Sequence, residues 1–398
     1  MRFFLFTLAT VFFILGCSNR RPLQKVLKSQ PILREVARNK KQYHAQIIYT
    51  QINRDKKGAL HFKNYRYHVD TSSYFYPAST VKLIVSALAI EKLLEDSSVL
   101  LTTATPLKAF ANGTCQSDEW VDSTAKINTP TIGHYIRKML LVSDNEAYNR
   151  VFDFLGQDYI QQRCIALGFQ EARIIQRFDP LCNAAANRVH NRFEFYNTDS
   201  SLLYSNTALT TSIYNNPIKN ASVGDSYYLG DSLIRSPKSF RYNNNLPLET
   251  THQCLMRLIF PSSFPDSLQF KLPPPEYHFV KSLLGMYPFE SDFPKYDSSY
   301  FPAYKKYLFY GKDRSALLDS DLRIYNAVGQ AYGFTTDVAY FEDSLSKISF
   351  FLSATIYTNA DGILNDNKYE YETIALPFMK ALGQEIYQYE RKRKRVDR

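Results

Sequence analysis

From Ser79 to Glu95 the chain reads STVKLIVSALAIEKLLE, with apolar positions too dense for a helix that lies on a surface. A run of that length and density is a helix covered on most of its sides. A chain that holds one must wrap its remaining elements around it, which takes packed layers and a large core. The 398 residues, 45% of them hydrophobic, are enough for one large domain or two small ones.

The flanking segments indicate what those layers are. HAQIIYTQINR from His44 reads as a strand, DKKG as a turn and ALHFKNYRYHV as the antiparallel partner, giving a hairpin near the N-terminus. Thr129 followed by Pro130 predicts an N-cap and first-turn proline for a helix over TIGHYIRKMLLV that stops at Ser143. EAYNRVFDFLG predicts a short helix ended by Gly156, and DYIQQRCIALG another. Residues 199–248, rich in Asn, Ser and Tyr with short β-like runs such as DSYYLGDSLI, predict an insertion or extended loop system. After a helix at ETTHQCLMRLIF, the Pro- and Tyr-rich residues 261–310 predict an irregular connection. LRIYNAVG, YGFTTDVAYFE and ISFFLSATIYTN read as strands, and an amphipathic helix from about Tyr371 to Tyr389 closes the chain. Strands at both ends with helices between them predict an α+β fold. An antiparallel sheet is assembled from the two chain ends and flanked by helices, and a mostly helical domain is carried between them.

The N-terminus predicts export. Arg2 precedes an uncharged apolar run from Phe3 to Leu15, too short to span a bilayer and suited to the apolar part of a secretory signal. The run ends in Ile14-Leu15-Gly16-Cys17, which resembles the bacterial lipobox. That resemblance implies cleavage before Cys17 and a lipid on its thiol, which would hold the protein at a membrane surface without a spanning helix. The expected division is a signal peptide at 1–16, a basic tether at 17–41, one domain at 42–389 and a basic tail at 390–398. The expected location is the bacterial cell envelope, facing the periplasm or the cell surface.

The net charge of +10 would suggest nucleic acid if it were spread over the fold. Residues 1–41 instead carry +8 and the tail from Glu390 carries +4, which leaves −2 on the body. Basic ends beside a lipid anchor fit an anionic membrane surface or envelope polymer, and no nucleic-acid partner is expected. Cys115, Cys164, Cys182 and Cys254 are an even set in a compartment that permits disulfides, with no spacing that assigns their pairing. The seven histidines form no H-E-x-x-H, and no glycine-rich phosphate loop occurs among fourteen glycines, so no metal or cofactor is predicted.

The chemistry-bearing candidates begin at Ser79 and Lys82, in YFYPASTVK. An S-x-x-K pattern alone is weak, and it recurs at Ser123–Lys126 and Ser344–Lys347. Here Pro77 directs the chain into a helix, so Ser79 falls in its first turn and Lys82 one turn on, on the same face. Serine is a weak nucleophile until a base takes its proton, and an amine buried in an apolar helix has its pKa pushed down by desolvation toward a range where it can serve as that base. The alternative is a helix-capping serine beside a lysine that reaches out to water.

With Ser143-Asp144-Asn145 in LLVSDNEAYNR, otherwise only a polar break between helices, the chain resembles the penicillin-recognising serine hydrolases. These are the class A β-lactamases and their relatives among the penicillin-binding proteins. The resemblance runs from about His44 to Glu390 and implies the β-lactamase/transpeptidase-like fold. It implies Ser79 as the acylated nucleophile, Lys82 as base or proton relay, Ser143 as relay to the leaving nitrogen, and Asn145 as the group that orients Lys82 and holds the substrate amide. Backbone N–H groups of Ser79 and of the third-motif strand would form the oxyanion hole.

Two departures follow. The K-T-G motif is degenerate: Gly329 keeps its place, while Val328 stands for the hydroxyl residue and Ala327 for the lysine, so the substrate-binding strand at Ala327–Gly329 lacks its cation. Lys347 or a residue of the long insertion is the expected substitute. RFDPLCN, residues 177–183, resembles the family's Ω-loop with Asp179 in place of the deacylating glutamate and Asn183 as the loop asparagine. Aspartate is a methylene shorter, which favours slow breakdown of an acyl-enzyme. Three readings stand: a hydrolase of a β-lactam or related amide, a peptidoglycan peptidase or transpeptidase, and a non-catalytic binding protein that keeps the fold.

Overall fold

A period-two alternation in the terminal strands decides the layering, because it gives each of them two apolar faces. In Gln46–Arg54, Ile48 and Ile52 join one core cluster while Ile47 and Tyr49 join another on the opposite face. The computed structural model, which describes residues 21–95, 98–113 and 115–393, shows a five-stranded antiparallel sheet made from both chain ends. Its order is Leu322–Ala331, Phe334–Asp343, Ile348–Tyr357, Gln46–Arg54, Leu60–Tyr67. The predicted hairpin is present in register Ile48 opposite Arg66, with Ser353 on the other side. Cys17 and the predicted signal peptide lie outside the described residues, as do residues 394–398 of the tail. Among the described residues no helix is long and apolar enough to cross a membrane.

One face of the sheet carries the central helix, Val81–Leu93, whose residues are buried from Val81 through Glu91. Around it pack Ile132–Val142, Asn145–Leu155, Gln157–Ala166 and Leu248–Ile259. Glu91, buried with the helix, is matched by Arg163 at 2.8 Å. The other face carries the C-terminal helix Leu376–Lys392, entered through a π-turn at Tyr371–Ala375.

Several expectations are corrected. The 17–41 segment is not a loose tether beyond residue 20. Helices Arg21–Val26 and Pro31–Arg38 bury Leu23, Val26, Leu33 and Val36 in the same cluster as Phe378, Leu382 and Ile386 of the C-terminal helix. The cap of the Ile132–Val142 helix is Thr131, which accepts from His134 N, rather than Thr129, because Pro130 uses its carbonyl to accept from Leu107 N. The 261–310 connection contains a three-turn helix, Pro274–Gly285. Its prolines read as breakers, yet they occupy the first turn, where a missing N–H costs nothing. By contrast, the short β-like runs expected in 199–248 are present: Ser226–Leu229 pairs with Ser232–Ile234, and Leu202–Thr207 pairs with Arg192–Tyr196. Cys115 and Cys182 form a disulfide, and Cys164 and Cys254 are free and buried.

Candidate active site

The nucleophile turn is formed by a close approach of strand and helix. Ala78 adopts a left-handed backbone (φ 45°), uncommon without a glycine, and starts the 3₁₀ turn Ala78–Thr80 that leads into the central helix. Gly329 lies against it. A Cβ there would stand 2.4 Å from Pro77 O and 3.1 Å from Ser79 N, so only glycine allows strand Leu322–Ala331 to run beside the serine. Ser79 is half-buried and Lys82, one turn further, is buried, with Nζ 2.9 Å from Ser79 Oγ.

The Ser143–Asn145 link follows from two helix ends meeting. Ser143 ends Ile132–Val142 in a left-handed conformation (φ 65°), and Asp144 caps the next helix by accepting from Ala147 N at 2.9 Å. That tight link turns Ser143 and Asn145 toward the lysine. Lys82 Nζ is 2.5 Å from Ser143 O, 3.0 Å from Ser143 Oγ and 2.7 Å from Asn145 Oδ1. A neutral amine has two donors and one lone pair. It can serve Ser143 O and Asn145 Oδ1 while accepting from either hydroxyl, and once protonated it has a third donor for the same oxygens. The arrangement satisfies both protonation states and lets a proton pass between Ser79 and Ser143.

Electrostatics favour the neutral state. The Lys82 amine is held well below the ordinary lysine range, first by burial, then by the positive charge of Lys305, with Asp144 opposing. Asp144 is itself partnered by Lys138 at 3.9 Å. The rings of Phe178 and Tyr148 lie over the amine at 5.1 and 5.9 Å.

The remaining predicted residues separate into those brought near and those not. Ala327 faces the cluster containing the central helix, whereas Val328 is packed with Ile324, Ala339 and Phe341 on the opposite side of the sheet. Asp179 Oδ1 accepts from Leu181 N at 2.8 Å and exposed Asn183 accepts from Ala186 N at 2.9 Å, so both cap turns of their own loop. Phe178, not Asp179, is what that loop lays over Lys82. Lys347 sits in the exposed turn before Ile348, whose partner Asp343 is seven residues along from Thr336, the partner of Gly329. That puts it roughly 23 Å from the site at 3.3 Å per residue, too far to replace the missing cation. The Ser123–Lys126 pattern is likewise in an exposed turn.

Sequence reasoning missed four contributors. Phe240, from the 199–248 segment, packs 5.7 Å from Tyr76 and 5.2 Å from Tyr332, making an aromatic wall beside the nucleophile turn. Phe178, next to Asp179 in its loop, is the ring that lies over Lys82. Lys305 and the adjacent Lys306 are buried in AYKKYLFY, where two lysines inside an aromatic run were the only signal.

Residues 30–210 match the family model described as the β-lactamase enzyme family. No curated protein matches the chain. Among solved structures, it is similar to a β-lactamase from Desulfarculus baarsii DSM 2075 at 13% identity, covering 89% of this chain and 97% of that one with a TM-score of 0.48. A β-lactamase from Streptosporangium roseum is 12% identical over 93% and 98% of the two chains, with a TM-score of 0.48. One from Burkholderia ambifaria is 13% identical over 89% and 98%, with a TM-score of 0.47. The span similar to that family contains both the Ser79–Lys82 turn and the Ser143–Asn145 link.

Proposed function

We infer that the chain transfers the acyl group of a β-lactam or a related amide to Ser79 and releases it slowly. The observation that carries this is the contact of Ser79 Oγ with a buried Lys82 whose amine is pushed toward neutrality. Lys82 would take the hydroxyl proton as Oγ bonds to the carbonyl carbon, and N–H groups of Ser79 and the Gly329 strand would hold the resulting oxyanion. The proton would then pass through Ser143 Oγ to the nitrogen as the C–N bond breaks, leaving an ester on Ser79. Hydrolysis of that ester needs a base on the incoming water. Asp179 is engaged in its own turn and Phe178 covers the amine, which favours a long-lived acyl-enzyme.

The second reading, a peptidoglycan peptidase or transpeptidase, draws on the same slow ester and differs in the natural acyl donor. The lipobox-like Ile14–Cys17 and the Cys115–Cys182 disulfide both support a site outside the cytoplasm, anchored through a lipid on Cys17. Intact-mass spectrometry after incubation with a fluorescent penicillin tests acylation, with Ser79→Ala as control. The expected result is an adduct that persists in the wild type and is absent from the variant. Rapid turnover with only a transient adduct would overturn the slow-release reading, and no adduct at all would overturn acyl transfer.

A further inference from the structure

Ala327 removes the third-motif cation, yet a buried cation reaches the same corner from another element. Lys305 is 7% exposed, and its Nζ donates to the carbonyl of Leu140, in the last turn of the helix that Ser143 ends. Its own carbonyl accepts from Asn326 Nδ2 at 2.7 Å, one residue before Ala327. Leu140 and Ala327 belong to the same core cluster, so the lysine stem runs from the strand edge toward the side of the sheet that the Ala327 methyl faces. We propose that Lys305 is the positioning residue that takes the place of the missing lysine, pinning the last turn of the helix that ends at Ser143 and bringing a buried cation to the Ser79–Lys82–Ser143 corner. This rests on the acyl-transfer reading of the same site.

The surroundings are consistent with a charge that acts on its neighbour. Lys305 is the second cause of the low Lys82 value after burial, and burial lowers Lys305 itself to about 7 against the pull of Asp337. The other charged groups facing this pair are Lys306, which bonds Ile324 O and Asn326 Oδ1, and Asp337, which accepts from Asn326 Nδ2 and Leu308 N. Asp144 acts on Lys82 from the opposite side. Removing the Lys305 charge takes away a like-charge repulsion, so Lys82 would hold its proton to higher pH.

The test follows Lys82 directly in the full chain, by NMR titration of lysine labelled at Cε, with Lys82→Arg to assign the signal. Lys305→Met should move the Lys82 titration to higher pH and so lower its neutral fraction near pH 7. Acylation by the fluorescent penicillin should fall in parallel at pH 7 and recover as pH rises. Adding Ala327→Lys to Lys305→Met should restore both, which loss of packing alone would not allow. An unchanged Lys82 titration in folded Lys305→Met overturns the proposal. If that variant does not fold, the wild-type titration decides: two coupled steps at Lys82 and Lys305 support it, and two independent ones overturn it. Because the NMR readout needs no turnover, a wild type that fails to acylate would sink the acyl-transfer reading while leaving Lys305's effect on Lys82 measurable.

Discussion

Lys82 is useful as a base only in its neutral form, so the direction of its pKa sets a pH profile. Its pKa in the folded protein lies below the ordinary lysine value of 10.5, and acylation should rise with pH through that lowered value and level off well before 10.5. Lys82→Ala should cost about 10² to 10⁴ in acylation rate, the range of a positioned general base, as read by stopped-flow with a fluorescent penicillin. Lys82→Arg should not rescue it, because a guanidinium stays protonated. Asp179 makes a contrasting case. With its carboxylate capping Leu181 N, Asp179→Ala should leave the lifetime of the Ser79 adduct within about twofold while costing roughly 1 kcal/mol of stability for the lost cap. An adduct that outlives the wild-type one by a hundredfold would mean that the carboxylate does reach the hydrolytic water. The sequence singles out Ser79, Lys82, Ser143 and Asn145 through two short motifs, at a helix turn and a helix junction, and the structure brings the four into contact. It did not reveal Lys305 or Phe178, whose placement depends on long-range packing that leaves no periodic trace.

The strand Leu322–Ala331 and the nucleophile turn work as one element, held together where Gly329 meets Pro77 and Ser79. A methyl at Gly329 would stand 2.4 Å from a backbone oxygen, so either strand or turn must retreat. Gly329→Ala should lower stability by about 1 to 3 kcal/mol, as overpacking does. It should also cut acylation by roughly tenfold to a hundredfold, because displacements near 1 Å at a reacting centre cost that much. Thermal melts and adduct kinetics on one sample check both, and a normal melt with normal kinetics would show that the approach is not tight. Elements with a strong period or an unambiguous stop were legible: the hairpin, the central helix, the helix closed by Gly156 and the three C-terminal strands. The Pro274–Gly285 helix was hidden because prolines stop a helix in its interior and start one at its first turn, and composition does not distinguish the two.

At the scale of the molecule, two long-range connections hold the chain ends and the loop beside the active site. The Cys115–Cys182 disulfide spans 67 residues and pins the loop that carries Phe178. In the chain-entropy account a closure of that size contributes on the order of 4 kcal/mol. Reduction should therefore lower the urea midpoint, and an unchanged midpoint would mean that the loop is held by its buried Arg177–Asp153 pair alone. The second connection is the N-terminal helices lying on the C-terminal one. Charge and polarity alone suggested a free tether, because the basic residues masked the apolar positions between them. Leu23, Val26, Leu27, Leu33, Val36 and Tyr43 are nonetheless buried there, and Gln30 Nε2 donates to Glu385 Oε1 at 2.7 Å. At about 1.5 to 3 kcal/mol for each large buried side chain, stripping them removes on the order of 10 kcal/mol, comparable to the whole stability of a domain. A chain begun at Arg21 should match the full chain in its urea midpoint, and one begun at His44 should fail to fold cooperatively by circular dichroism. Equal midpoints for the two would return residues 21–43 to the status of a loose tether.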